Sequence, residues 1–127
     1  MNITIQPTLL KGRITPPPSK SQAHRMGIAA ALAGGGSELG GLARSQDIAA
    51  TLDCMAAMGA GVELTRENVV RIHGLSRSIP QKDNRLLRFD CGESGSTLRF
   101  LIPVALTVAG GVSFSVPGSL MERPQQP

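Results

Sequence analysis

Apolar and polar residues alternate at the start of the chain, where Ile3 and Ile5 stand between polar neighbours. A period of two predicts a strand over residues 2–9. Lys11-Gly12-Arg13 then turns, and Ile14 opens a second short extended stretch. Pro16, Pro17 and Pro18 follow. They impose a stiff segment without backbone donors, suited to carrying the chain between domains.

Past the prolines the period becomes helical. A helix starts near Ser19 or Ser21, with Ser19 and Gln22 at capping-box spacing. Met26, Ile28 and Leu32 are its expected inner face, and Gly34-Gly35-Gly36 ends it. That glycine run is not followed by the lysine and hydroxyl of a nucleotide P-loop, so it reads as a helix stop. Residues 37–42 predict a short strand. Ser45 caps a second helix, with Ile48, Leu52 and Met55 on one face and Asp47 complementing the dipole of the first turn. Gly59 and Gly61 close it. Residues 61–65 and 69–74 predict a hairpin. A polar stretch from Ser76 to Arg85 leads to a strand over 85–90. A third helix runs from near Ser94 to about Val108, with Pro103 expected to kink it. A strand at 111–116 and a terminal loop complete an α/β (α+β) pattern with helices against sheets.

The order repeats itself. A shift of 74 positions lays Arg25, Ile28, Ala31 and Leu32 on Arg99, Ile102, Ala105 and Leu106. Both helices start in Ser/Gly-rich turns and end in glycines, as a duplicated unit would. The counterpart of the second helix would begin near residue 119, and the sequence stops at Pro127. The chain therefore reads as part of something longer, with strand edges left unpaired.

Composition narrows the chemistry. The 127 residues suffice for one modest domain. Thirteen basic residues against nine acidic ones give a formal charge of +4. Three Phe, no Trp and no Tyr leave no stacking platform for bases, and the positive charges are dispersed. This disfavours nucleic acid and suits a small phosphorylated or carboxylated ligand. Cys54 and Cys91 have neither metal-ligand nor CxxC spacing and read as reduced core thiols of a cytoplasmic protein. No signal peptide is expected at the N-terminus. The longest apolar window, 100–114, is broken by Pro103, Gly110 and Gly111, so no membrane span is expected.

The candidate chemistry sits in three stretches. In Ser19-Lys20-Ser21-Gln22-Ala23-His24-Arg25, a point charge, a hydroxyl and a guanidinium occupy the first turns of one helix. Ser21 and Arg25 are i, i+4 and share a face. A helix start adds free N–H groups and partial positive charge. The same pattern also suits a solvated, capped helix with ordinary surface charges. Cys91-Gly92-Glu93-Ser94-Gly95-Ser96-Thr97 is small and donor-rich, and also reads as an N-cap beside a glycine turn. Arg123 lies in Met121-Glu122-Arg123-Pro124, where Glu122 is a ready surface partner.

Taken together, these stretches resemble the enolpyruvyl transferases, in the branch acting on shikimate 3-phosphate. The first is similar to that branch's P-x-S-K-S-x-x-x-R signature, the second to its G-N-A/S-G-T-x-x-R segment, and the third to its x-x-E-R-P loop. The resemblance covers essentially the whole chain in order. It implies transfer of the enolpyruvyl group of phosphoenolpyruvate to the 5-hydroxyl of shikimate 3-phosphate, releasing phosphate, on the route to chorismate and the aromatic amino acids. It implies the inverse α/β-prism fold, in which each of two domains holds three βαβαββ units. Residues 1–15 would then be a strand segment of the other domain. Residues 16–127 would be a partial substrate-binding domain, with one complete unit and a truncated second. Lys20 would touch both substrates, Ser21 and Arg25 would bind shikimate 3-phosphate, and Gly95 and Arg123 would line the phosphoenolpyruvate site. Gly95 would also leave the close approach open to glyphosate. Glu93 stands where the family often has asparagine. It would repel phosphoenolpyruvate unless Lys20 or Arg123 pairs with it or it takes a proton.

No catalytic acid or base is identified, and no metal or cofactor is implied. His24 reads as a helix-surface residue and His73 as a strand residue, and Asp47, Asp53 and Asp90 do not match the family's carboxylate positions. General acid–base chemistry needs a positioned proton carrier. The chain alone is therefore expected to be catalytically silent, the remainder of the enzyme chain being its partner. Two rivals stay open. The sibling transferase using UDP-N-acetylglucosamine has Lys-Asn where this chain has Lys20-Ser21. A non-catalytic anion-binding module would be complete at this length.

Overall fold

The computed structural model describes residues 2–66, 68–75 and 83–124. In chain order the elements are α1 (Lys20–Leu32), β1 (Gly36–Gly40), α2 (Gln46–Met58), β2 (Gly61–Arg66), β3 (Val69–His73), β4 (Asp83–Asp90), α3 (Gly95–Val108) and β5 (Ala109–Ser115). A single 3₁₀ turn at Gly118–Leu120 follows, within the stretch expected to be a loop.

Each helix start is set by a serine hydroxyl that accepts from the backbone N–H three residues on. The pairs are Ser19 with Gln22, Ser45 with Ile48, and Ser94 with Thr97. The end of α2 is equally local. Gly59 is left-handed (φ 107°), and the Ala60 N–H reaches the Met55 carbonyl in a Schellman closure. α1 ends differently. The Leu75 N–H donates to the Ala31 carbonyl at 2.8 Å. Gly74 presses so close to the Ala33 carbonyl that no Cβ would fit.

β1, β3 and β2 form an antiparallel sheet in that order. On central β3, Val70 and Ile72 point inward and are buried, while Arg71 points outward. Arg71 lies opposite Glu38 on one side and Glu63 on the other, at 3.3 Å and 3.8 Å. β4 and β5 pair in parallel, with α3 as the crossover between them. Phe89 stacks on Phe114 across this pair, with ring centroids 5.2 Å apart. One core joins both sheets to all three helices through Ala31, Met55, Ile72, Phe89, Leu101 and Ala105. Ala31 and Ala105, the matched alanines of the internal repeat, are both fully buried.

Several expectations need correction. Residues 2–9 form no strand, and Ile3 and Ile5 are exposed, because alternation without a neighbouring strand has nothing to pair with. Met26 and Leu32 are not on the inner face of α1. At 100° per residue Met26 lies nearly opposite Ile28, and the buried stripe is instead Ala23, His24, Gly27, Ile28, Ala30 and Ala31. His24 is therefore a core residue, not a surface one. Pro103 does lie inside α3, which continues past it to Val108. Of the polar stretch from Ser76 to Arg85, residues 76–82 lie outside the described residues. Among the described residues no helix is long and apolar enough to cross a membrane.

Candidate anion-binding site at three helix starts

Lys20 opens α1, and its Nζ lies 2.8 Å from Oδ2 of Asp47 in the first turn of α2. Below this pair, side chains tie the helix starts together. His24 Nδ1 lies 2.7 Å from Thr51 Oγ1, and Thr51 Oγ1 lies 2.7 Å from Thr97 Oγ1. Thr51 also donates to the Asp47 carbonyl at 3.0 Å. Thr97 Oγ1 lies 2.7 Å from the hydroxyl of Ser94, the cap of α3. His24, Thr51, Thr97 and Ser94 are all buried. No buried side-chain nitrogen or oxygen among the described residues lacks a partner. A satisfied buried network of this kind fixes one arrangement of the elements it joins. Here it sets the first turns of α1, α2 and α3 beside one another.

Lys20, Ser21 and Arg25 stand exposed above it. The Arg25 guanidinium lies over the Phe100 ring of α3, 5.8 Å from its centroid, and His24 approaches the same ring at 6.3 Å. A guanidinium resting on an aromatic face keeps its edge donors available to an anion.

Glu93, Gly95 and Arg123 gather at the start of α3. A side chain on Gly95 would meet Leu120 Cδ1 at 3.3 Å, so the turn at 118–120 packs directly over it. Gly118 (φ 65°) lies against the Glu93 carboxylate. Arg99 Nη2 donates to the Pro124 carbonyl at 3.3 Å and anchors the loop that carries Arg123. Arg123 Nη2 donates to Ser119 Oγ at 3.4 Å. Glu93 is exposed and forms no ion pair among the described residues, since Lys20 pairs with Asp47 instead. Of the ways in which Glu93 could be neutralised, pairing with Lys20 is not the one taken.

Electrostatics follow the burial. Loss of hydration lowers the His24 pKa below its ordinary 6.5, with the Asp47 carboxylate opposing and Lys20 reinforcing the shift. Cys54 and Cys91 are free, buried thiols. Cys54 Sγ donates to the Asp90 carbonyl at 3.3 Å, and the neighbouring Cys91 thiol, together with burial, pushes the Cys54 pKa up. Among the described residues no group of three metal-ligating side chains occurs.

Cavities among the described residues lie beside these side chains. One of about 680 Å³ runs between α2 and the β2–β3 hairpin, lined by Ile48, Leu52, Val62 and Val70. Others of about 450 Å³ and 270 Å³ are bounded by Asp53 and Arg88, and by Ser19 and Glu38. Sequence reasoning placed Lys20, Ser21 and Arg25 together, and Glu93 near Gly95. It missed the burial of His24 and the part played by Thr51, although a histidine four residues after Lys20 on an alanine-rich helix was a usable signal. Thr97 and Arg99 stood in the α3-start motif, but neither the buried network nor the hold on the Pro124 carbonyl was foreseen.

Comparison with known proteins bears on this arrangement. A profile of the family described as EPSP synthase (3-phosphoshikimate 1-carboxyvinyltransferase) matches residues 5–127. A 3-phosphoshikimate 1-carboxyvinyltransferase of Clostridioides difficile is 40% identical over 129 residues, covering 97% of this chain and 29% of that protein. One from Clostridium perfringens is 40% identical over 122 residues, covering 96% and 28%. The solved EPSP synthase from Acinetobacter baumannii superposes with a TM-score of 0.68 at 26% identity, over 89% of this chain and 25% of that one. The chain thus spans less than a third of the length of the curated relatives it matches. With the motifs in order and the fold shared, the chain belongs to the EPSP synthase family.

Proposed function

We propose that this chain forms the anion-binding part of a 5-enolpyruvylshikimate-3-phosphate synthase, which moves the enolpyruvyl group of phosphoenolpyruvate to the 5-hydroxyl of shikimate 3-phosphate and releases phosphate. Ser21 and Arg25 hold the phosphate of shikimate 3-phosphate. Lys20 reaches both substrates, and Gly95 and Arg123 line the phosphoenolpyruvate side. Residues 1–15 belong to a second domain and 16–127 to the substrate-binding one. The exposed hydrophobic Ile3, Ile5, Leu9 and Leu10 support that division. Two reduced, buried thiols suit a cytoplasmic setting.

The observation that carries the reading is the buried network beneath Lys20 and Arg25, which holds three capped helix starts together. Each start offers free N–H groups and partial positive charge, and α1 adds a lysine and an arginine. Asp47 and Glu93 set limits on this field. Asp47 shares Lys20 with any ligand, and Glu93 weakens the phosphoenolpyruvate side.

The reaction needs a group to take the proton of the 5-hydroxyl and one to protonate the methylene carbon. Asp47 is held by Lys20, and His24 has one ring nitrogen engaged with Thr51. The chain alone therefore binds without turnover. The test is calorimetric titration of the chain with shikimate 3-phosphate and, separately, with shikimate. Binding of the phosphorylated compound alone supports the reading. Equal binding of both, or of neither, overturns it.

A further inference from the structure

His24 is 2% exposed, and nothing in the reaction proposed above uses it. Its Nδ1 touches Thr51 Oγ1, a hydroxyl with one proton and three close neighbours. Those neighbours are Nδ1 at 2.7 Å, Thr97 Oγ1 at 2.7 Å and the Asp47 carbonyl at 3.0 Å. A carbonyl can only accept. Thr97 donates to Ser94 Oγ at 2.7 Å, so the proton of the contact between the two threonines comes from Thr51, which shares it between Thr97 and the Asp47 carbonyl. The ring must then supply the proton between His24 and Thr51. If instead Thr51 gives its proton to the ring, two buried hydroxyl oxygens stand 2.7 Å apart with no proton between them. An unmade hydrogen bond in a buried site carries a desolvation cost, so the arrangement with the ring as donor prevails.

Nε2 is placed by elimination. It makes no hydrogen bond, and no buried side-chain nitrogen among the described residues is unpartnered. It therefore keeps only a trace of contact with solvent, the whole residue being 2% exposed.

We infer that His24, as its Nδ1–H tautomer, is a positioning residue. By donating to Thr51 it locks the Lys20–Ser21–Arg25 turn of α1 onto the starts of α2 and α3, so that the anion-binding groups are presented in one arrangement. The donor, not the ring, does this. Asparagine places its amide nitrogen close to the position of Nδ1, whereas glutamine places it nearer Nε2. The binding consequence rests on the function proposed above; the tautomer and the locking of the helices do not.

The experiment compares the wild-type chain with His24→Asn and His24→Gln, all polar and all compatible with a helix. Nitrogen-15 NMR of the wild-type ring at pH 7.5 is expected to show a neutral Nδ1–H imidazole. An Nε2–H imidazole would overturn the inference. In the same samples, His24→Gln is expected to shift the backbone amides of Thr97 and Gly95 in α3, and His24→Asn to leave them near wild type. Shifts confined to α1 in both variants, or equal in both, would overturn it. In calorimetry with shikimate 3-phosphate, His24→Asn is expected within about threefold of wild type and His24→Gln at least tenfold weaker. Equal affinities would overturn the positioning role. Failure of the wild-type chain to bind would count against the proposed function, leaving the NMR results to decide the role of His24.

Discussion

Lys20 Nζ stands 2.8 Å from Asp47 Oδ2, so the cation that opens α1 is held by a carboxylate from the first turn of α2. The contact joins two helix starts across 27 residues of sequence and places a negative charge inside the proposed anion site. Both partners stay partly in solvent, with side-chain exposures of 54% and 37%. Such a pair contributes no more than about 1 kcal/mol.

Asp47→Asn is therefore expected to leave the chain folded and to bind inorganic phosphate more tightly. The gain corresponds to about 1 kcal/mol, or roughly fivefold at low salt, fading as ionic strength rises. Loss of the carboxylate from the first turn of α2 costs about 0.3–1 kcal/mol of stability. Calorimetry at two salt concentrations checks the first effect and a thermal melt the second. Weaker phosphate binding in the variant would contradict the competition.

His24 makes the fold sensitive to acid. Its pKa is lowered in the folded chain, so the unfolded chain binds the proton more readily. Its contribution is complete above the ordinary value of 6.5 and is lost as pH falls from there through the lowered native value. Protonation leaves Nδ1–H in place, so the cost comes from burying charge and from repulsion by Lys20. The melting temperature of wild type is expected to drop more between pH 7.5 and pH 5 than that of His24→Asn. Parallel pH profiles would contradict this.

Much of the local structure was legible beforehand, for a physical reason. Caps act over three residues, so Ser19, Ser45 and Ser94 marked their helices accurately. The β2–β3 hairpin was visible because its two strands are adjacent in the chain. What escaped depends on distant partners. The alternation at Ile3 and Ile5 looks like a strand, but pairing is not a local property. His24 read as a surface residue because Lys20, Ser21 and Arg25 surround it in sequence. Its burial comes from Thr51 and Phe100, 27 and 76 positions away. Met26 and Leu32 misled because hydrophobicity alone ranks them above alanine. α1 instead packs a stripe of small residues, which brings its backbone close to its neighbours.

Gly74 shows the same closeness at the far end of α1. A Cβ there would collide with the Ala33 carbonyl, which is backbone and cannot rotate away. Gly74→Ala is expected to destabilise the chain by about 1–3 kcal/mol through forced displacement of β3 from the helix end. Urea unfolding gives the value. A loss under about 0.5 kcal/mol, the scale of ordinary surface substitutions, would contradict the close approach.

The central claim is that Arg25, on its Phe100 platform, grips the phosphate of the substrate. Its most direct test is the affinity of shikimate 3-phosphate for wild type and for Arg25→Ala. Loss of one charge-assisted hydrogen bond, about 1.5–3 kcal/mol, predicts binding weaker by roughly ten- to a hundredfold. Binding of equal strength in the two chains would contradict the account.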